Sequence, residues 1–495
     1  MKHLLGLDVS TTATKAVLLD EQGKVAGVAA STYDLSTPKP LWAEQDPRLW
    51  WRAARSAIAE VLSTTGVAAE GIAAVGLTGQ MHGLVLLDEA GEVLRPAILW
   101  NDQRSAAECE AMRERLGLEQ LVRWTGNDAF PGFTAPKLLW VREHEPAVYA
   151  KIHQVLLPKD YVRFQLTGTY ATDRAGAGGT LMLDLERRDW SHELLETFEI
   201  PRAWLPPTHE GTEVTGRISR EAAELTGLMS GTPVVGGGGD QAAQAVGVGA
   251  VEPGVVALTL GTSGVVFAAS DRPLIDPRGS LHAFPHAVPD TWHVMGVMLS
   301  AAGSLRWYRD VAAAGAGFGE LVEEASGIAP GAEGLTFLPY LSGERTPHAD
   351  PEARGAFVGL TLAHGRPHLT RAVLEGVAFG LRDNLALMTE VGLTDISEVR
   401  ISGGGARSPL WRRILADVLA VNLVTVRTDE GAASGAALLA GVGAGVWPSI
   451  TEACGAAVEL GDVTQPDAET AATYDGIYQR FRSQYPALKP LFGEV

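Results

Sequence analysis

The chain has 495 residues, 46% hydrophobic and 20% charged, a balance that fits a globular protein of two or three domains and excludes a disordered one. Its 59 acidic against 40 basic side chains give a formal net charge of −19, which argues against nucleic-acid and membrane-surface partners. The two cysteines, Cys109 and Cys454, lie far apart without metal-site spacing, so a disulfide framework is excluded and a reducing, cytoplasmic setting is expected.

In chain order, Leu4 to Val9 reads as a buried strand, Ser10 to Thr14 as a polar turn and Lys15 to Asp20 as a returning strand. The apolar run at the start is too short for a signal peptide, and Asp8 interrupts it. Pro47 to Thr64 carries apolar residues at helical spacing behind a proline start. Short strands follow at Ala73 to Leu77 and Leu84 to Leu87, with Gly79-Gln80-Met81-His82-Gly83 between them. Gln80 and His82 offer donors and acceptors that suit sugar hydroxyls, although a lone histidine is more often structural.

At mid-chain Thr232 to Val235 is a strand that runs into Gly236-Gly237-Gly238-Gly239-Asp240-Gln241. Four glycines leave no side chain to obstruct a ligand, and the carboxylate behind them is a candidate general base. The alternative is an Asp that caps a helix starting at Ala242. Asp8, at the end of the first strand, is the complementary acid, suited to hold Mg2+ directly or through water; it too has a turn-capping alternative.

The opening pattern then returns: Val255 to Leu260 is a strand, Gly261-Thr262-Ser263-Gly264 a turn, and Val265 to Ala268 the strand back. Two such hairpins half a chain apart predict two domains, 1–245 and 246–495, each on a mixed sheet. Both hydroxyl-rich turns suit phosphate oxygens, though neither is a Walker motif. The apolar stretch from Val246 to Ser270 is broken by Glu252, Pro253 and glycines, and reads as strands rather than a membrane span. His282, His286 and His293 lack cysteine partners and are separated by prolines, which disfavours zinc.

Leu369 to Val391 and Leu410 to Leu419 are predicted helices, and Val399 to Ser402 and Leu423 to Val426 predicted strands. The run Ser402-Gly403-Gly404-Gly405-Ala406 between strand and helix suits a nucleotide. A closing helix is expected from Ala468 to Tyr485. Strands alternating with helices make the fold class α/β.

Two long segments carry a resemblance. Gly132-Phe133-Thr134-Ala135-Pro136-Lys137-Leu138-Leu139-Trp140 and the stretch from Gly355-Ala356-Phe357-Val358-Gly359-Leu360 to Arg371-Ala372-Val373-Leu374-Glu375 resemble the two signatures of the FGGY family of carbohydrate kinases. The likeness covers essentially the whole chain. Ile98-Leu99-Trp100-Asn101-Asp102, Leu156-Leu157-Pro158-Lys159-Asp160-Tyr161 and Pro339 to His348 draw it toward the bacterial members that phosphorylate D-xylulose.

The resemblance implies two actin-like, ribonuclease-H-like domains with a catalytic cleft between them. It implies ATP and Mg2+ as cofactors, a small ketose as substrate and homodimerisation as a family-level expectation. Asp240 matches the family's base, and Asp8 the acid that assists Mg-nucleotide binding. Met81 and His82 match sugar-contacting positions, with Gln80 and Gln241 beside them. Thr11, Thr12, Lys15, Gly261, Thr262, Ser263, Gly404, Gly405 and Ala406 match the nucleotide side, with Trp307 lining it. Gln241 departs from the asparagine usual in the xylulose-phosphorylating members, while Met81-His82 departs from the Arg-Glu pair of glycerol-phosphorylating ones. Other kinases of the family (for ribulose, glycerol or gluconate), an actin- or chaperone-like ATPase and an idle sugar sensor are the alternatives.

Overall fold

The computed structural model describes residues 2–427 and 430–494. β1 (His3–Val9) and β2 (Ala13–Asp20) pair antiparallel, with Asp8 opposite Lys15, and β3 (Val25–Thr32) continues the meander. α1 (Pro47–Thr65) starts where the Asp46 side chain accepts the Arg48 N–H, and ends at Gly66, whose φ of 67° stops the helix. Its Trp50, Ala54, Ala57, Ile58 and Val61 are buried against the meander.

β4 (Ile72–Gly79) lies parallel to β1 on its other side. Past α2 (Pro158–Thr167) the same sheet gains β5 (Val214–Arg217), β6 (Pro233–Val235) and the two-residue β7 (Gly238–Gly239). The order is β5-β6-β4-β1-β2-β3, with β7 also paired to β4. β7 leads straight into α3 (Asp240–Gly247).

The second half repeats this plan. β8 (Val255–Leu260) and β9 (Gly264–Ser270) form the hairpin, and β10 (His282–Pro285) and β11 (Trp292–Met298) extend it. After α4 (Arg366–Glu390), β12 (Glu398–Ser402) pairs parallel with β8, as β4 does with β1. α5 (Pro409–Leu419), β13 (Leu423–Val426), α6 (Gly431–Gly443), β14 (Leu460–Thr464) and α7 (Ala468–Leu488) complete it. The strand order is β10-β11-β9-β8-β12-β13-β14.

α4 begins three residues before its apolar periodicity does, because Pro367 fits a first turn, where no N–H partner is needed. α6 packs not only within its own half but on β1, β2 and β4. Only small residues permit that: a Cβ on Gly76 of β4 would stand 1.9 Å from the Ala436 carbonyl oxygen. The first sheet is thus covered on both faces, which explains why β1 and β2 are almost continuously buried. Among the described residues no helix is long and apolar enough to cross a membrane.

Candidate active site

β1, β4 and β7 are neighbours, and their registers bring three polar residues to one place. Asp8 lies opposite Thr78, and Gly79 opposite Gly239, so Asp8, Gln80 and Asp240 collect at the carboxyl ends of adjacent strands. In open α/β sheets that edge is where ligands bind. Asp240 is the first residue of α3, with Gly239 as the cap. The expectation of a helix from Ala242 capped by Asp240 is therefore corrected: the pairing of β7 with β4 delivers the chain into the helix two residues earlier, and the carboxylate stays at the cleft wall.

Asp240 Oδ1 accepts the Gln241 N–H at 2.8 Å. Burial pushes its carboxyl up to about 6, against the stabilising hydrogen bonds of Gln241. Asp8 is pushed up to about 7, first by burial, then by the negative charge of Asp240; Lys15 pulls it down and Glu430 adds to the rise. Lys15 Nζ itself pairs with Glu430 Oε2 at 2.8 Å, across the two halves. Asp8 Oδ1 is buried without a hydrogen-bond partner. An orphaned carboxylate oxygen beside a second carboxylate fits a hydrated divalent cation held chiefly by phosphate and water oxygens. Among the described residues no cluster of three or more metal-ligating side chains offers a fuller cage.

The glycine run before Asp240 is clamped from behind. Gly237 has φ of 70°, and a Cβ there would lie 1.8 Å from the Leu77 carbonyl oxygen. Arg163 on α2 donates to Val235 O and Gly236 O. Its charge sits in a buried group with Asp160, Lys159 and Asp173. Arg163 carried no functional signal in the sequence.

Gln80 is only 3% exposed. Its amide faces Ser10 O at 3.4 Å and Thr11 Oγ1 at 3.5 Å, so it props the first turn rather than opening on a cavity. Trp100 Nε1 donates to Thr11 Oγ1 at 3.0 Å, and Gln45 Nε2 to Thr11 O at 2.7 Å. Thr12 is exposed. Met81 is buried over Gly239, next to Asp240. His82 has φ of 70°, a left-handed conformation that is rare outside glycine. Its carbonyl is held by Thr134 Oγ1 and the buried Lys137 Nζ, both at 3.0 Å. Its Nδ1 donates to Gly179 O at 2.6 Å, and burial lowers the ring to about 3, so the imidazole is neutral with Nε2 as acceptor. A narrow cavity of about 50 Å³ opens beside it, lined also by Trp100, Phe130, Phe133, His282 and Arg345.

The larger cavity, about 500 Å³, lies between the halves. Asp240 and Gln241 form one wall, and Gly404 and Ala406 the other, with Gly403 and Arg407 beside them. Gly404–Arg407 winds into a single 3-10 turn after β12, closed by Ala406 N to Gly403 O and Ser408 N to Gly405 O, both at 3.2 Å. Gly405 sits beneath, against Leu260. The Gly261–Ser263 turn holds the start of the helix at Ala302–Ala312 through Ala302 N to Gly261 O and Gly303 N to Thr262 O. Trp307 on that helix is 38% exposed and stacks on Phe337, away from the lining of this cavity. His286 and His293 instead pack around Phe267 in the interior.

Comparison with known proteins identifies the family and the fold. The profile of the FGGY family of carbohydrate kinases, N-terminal domain, matches residues 3–247, and that of the C-terminal domain matches 256–444. The chain is 44% identical over 489 residues to a xylulose kinase of Escherichia coli K12, covering 98% of this chain and 99% of that one. A solved xylulose kinase from Rhodospirillum rubrum superposes with a TM-score of 0.94 at 36% identity, over 99% of this chain and 100% of that one. A gluconate kinase from Lactobacillus acidophilus gives 0.95 at 30% identity, over 100% and 99%.

Proposed function

The chain belongs to the FGGY family of carbohydrate kinases, and from that premise we propose that it transfers the γ-phosphoryl group of ATP to the terminal hydroxyl of D-xylulose. The observation that carries the reaction is Asp240: a carboxylate whose pKa is raised to about 6, at a strand end, on the wall of a cavity shared by both halves. Such a group is ionised at neutral pH and close enough to it to accept a proton effectively.

In this reading Asp240 accepts the C5 hydroxyl proton as the oxygen attacks the γ-phosphorus in line. The bond to the β,γ-bridging oxygen breaks, ADP leaves, and the proton stays on Asp240 until it passes to solvent. Phosphoryl transfer asks little covalent work of a protein, so positioning and charge stabilisation dominate. Met81 and His82 orient the sugar, with Gln241 beside the base. Thr11, Thr12, Lys15, Gly261, Thr262, Ser263, Gly404, Gly405 and Ala406 serve the nucleotide. Asp8 would hold Mg2+, directly or through water; when bound, that ion neutralises charge on the phosphates. The domain of residues 1–245 carries the base and the Met81-His82 sugar contacts, and the domain of residues 246–495 carries most of the nucleotide contacts. Two free, buried cysteines suit a cytoplasmic enzyme.

D-Xylulose is assigned because the xylulose kinase of Escherichia coli resembles this chain from end to end. Gluconate is the second reading, favoured by the superposition on the Lactobacillus acidophilus protein. ADP release from MgATP, measured with D-xylulose, D-ribulose, L-ribulose, glycerol and gluconate beside a sugar-free blank, separates them. Strong stimulation by D-xylulose alone is expected; stimulation by gluconate instead would move the assignment, and none by any sugar would overturn it.

A further inference from the structure

We propose that Arg345, contributed by the second half of the chain, determines sugar specificity by donating to the C2 carbonyl oxygen of the ketose. The inference rests on the ketose-kinase reading above. If Asp240 takes the terminal hydroxyl, the carbonyl end of the sugar lies at the far end of the chain from C5. The path from Asp240 leads over Met81, which packs on Gly239, to His82 and the narrow cavity that Arg345 helps to line.

The polar atoms of that cavity have a definite hydrogen-bonding sense. His82 Nδ1 carries its proton toward Gly179 O, which leaves Nε2 a bare acceptor. The Asn127 amide nitrogen donates to Thr125 O and Ala283 O, both at 2.9 Å, so its Oδ1 turns to His282 Nδ1 at 2.8 Å. His282 Nδ1 therefore carries the proton, and its Nε2 is an acceptor with no partner. Both imidazoles are neutral and offer lone pairs to hydroxyl groups. Arg345 is the donor-only group among them.

Among the described residues no hydrogen bond or ion pair reaches the Arg345 guanidinium, and the Phe130 ring lies 6.0 Å from Cζ. The adjacent carboxyl turns away: Glu344 Oε1 accepts the N–H groups of Leu299 and Arg345 at 2.9 and 2.8 Å. Burial pushes Glu344 up to about 8, and its charge reaches Arg345 only through space, without a hydrogen bond or ion pair. Thr346 pins the loop through Oγ1 to Ser280 O at 2.7 Å and N to Val297 O at 3.0 Å. The half-buried guanidinium keeps its nitrogens accessible, so a ligand in the cavity would supply acceptors in place of water. A ketone oxygen only accepts, which matches it; a hydroxyl at C2 brings a hydrogen that must be turned aside. Because Arg345 and Asp240 sit on different halves, one sugar molecule would bridge them.

The test compares D-xylulose with xylitol, which differs only at C2. In the wild-type protein one measures the KM for D-xylulose, the inhibition constant of xylitol against it, and the KM for ATP. Arg345→Met is expected to raise the D-xylulose KM about tenfold or more, the cost of a lost charged hydrogen bond, while the xylitol and ATP constants stay within about threefold. Arg345→Lys should recover part of the loss, and it carries the test if Arg345→Met does not fold by circular dichroism. Equal effects on D-xylulose and xylitol, or no effect on either, would overturn the inference while leaving the kinase reading intact. A wild-type protein unresponsive to D-xylulose would overturn both, and that is seen before any variant is made.

Discussion

Arg163 Nη1 lies 2.5 Å from the carbonyl oxygen of Val235, and Nη2 lies 2.6 Å from that of Gly236. An interior cation thus holds the last peptide groups before the glycines that deliver Asp240. It is itself balanced by Asp160, whose Oδ1 is 3.7 Å from Nε and 2.6 Å from Lys159 Nζ. Arg163→Met removes one member of a buried charge group and orphans two carbonyls. The expected loss is about 3–5 kcal/mol of stability, read by urea unfolding. In the fraction that folds, kcat should fall while the KM for ATP holds; a loss below about 1 kcal/mol with normal kcat would remove the clamp from the account.

Asp240→Asn should lose activity yet gain stability. The folded carboxyl, near 6, binds its proton more tightly than the unfolded one at 3.8. Between those values the folded state holds the extra proton, so stability falls as pH rises, and the full cost stands above about 6. Asparagine removes that cost and still accepts the Gln241 N–H. Thermal unfolding without metal should show a gain on the order of 1–3 kcal/mol at neutral pH, the smaller figure allowing for solvent at the cleft wall. The gain should shrink to nothing as pH approaches the ordinary carboxyl value. A destabilised Asp240→Asn would contradict the burial argument.

The rate should have an acid limb. If both Asp8 and Asp240 must be ionised, log(kcat/KM) for the sugar falls on the acid side with a slope approaching two, at a pH below the metal-free values of about 6 and about 7 because bound Mg2+ favours the carboxylates. Asp8→Asn should leave a residual rate whose limb has a slope near one. A profile with no acid limb down to the ordinary carboxyl range would exclude Asp240 as base.

His82→Ala removes a neutral acceptor that faces the narrow cavity. The D-xylulose KM should rise about tenfold, with the ATP KM unchanged, in steady-state kinetics. The reverse pattern would place His82 on the nucleotide.

Much of this architecture could be read in the sequence because it is local. The two hairpins, the strand that ends at Asp8 and the glycine run before Asp240 each show themselves within ten residues. α6 could not be read as a bridge between halves: its contacts with β1 and β4 depend on glycines more than 300 residues away in the chain, such as Gly76 against Ala436. Gln80 is a sugar-ligand candidate by residue type, and only the fold shows its amide 3.4 Å from Ser10 O beside the first turn. Arg163 and Arg345 are single cations in long segments, and only the fold reveals that one meets two carbonyls and the other, among the described residues, meets none.

The most direct test of the central claim is phosphorus NMR of the reaction of MgATP with D-xylulose, run on the wild-type protein and on Asp240→Asn. The account predicts a new phosphomonoester whose phosphorus couples to the C5 protons, formed about 10²–10⁴-fold more slowly by the variant. ADP and inorganic phosphate as the only new signals, or an ester formed equally fast by both proteins, would contradict it.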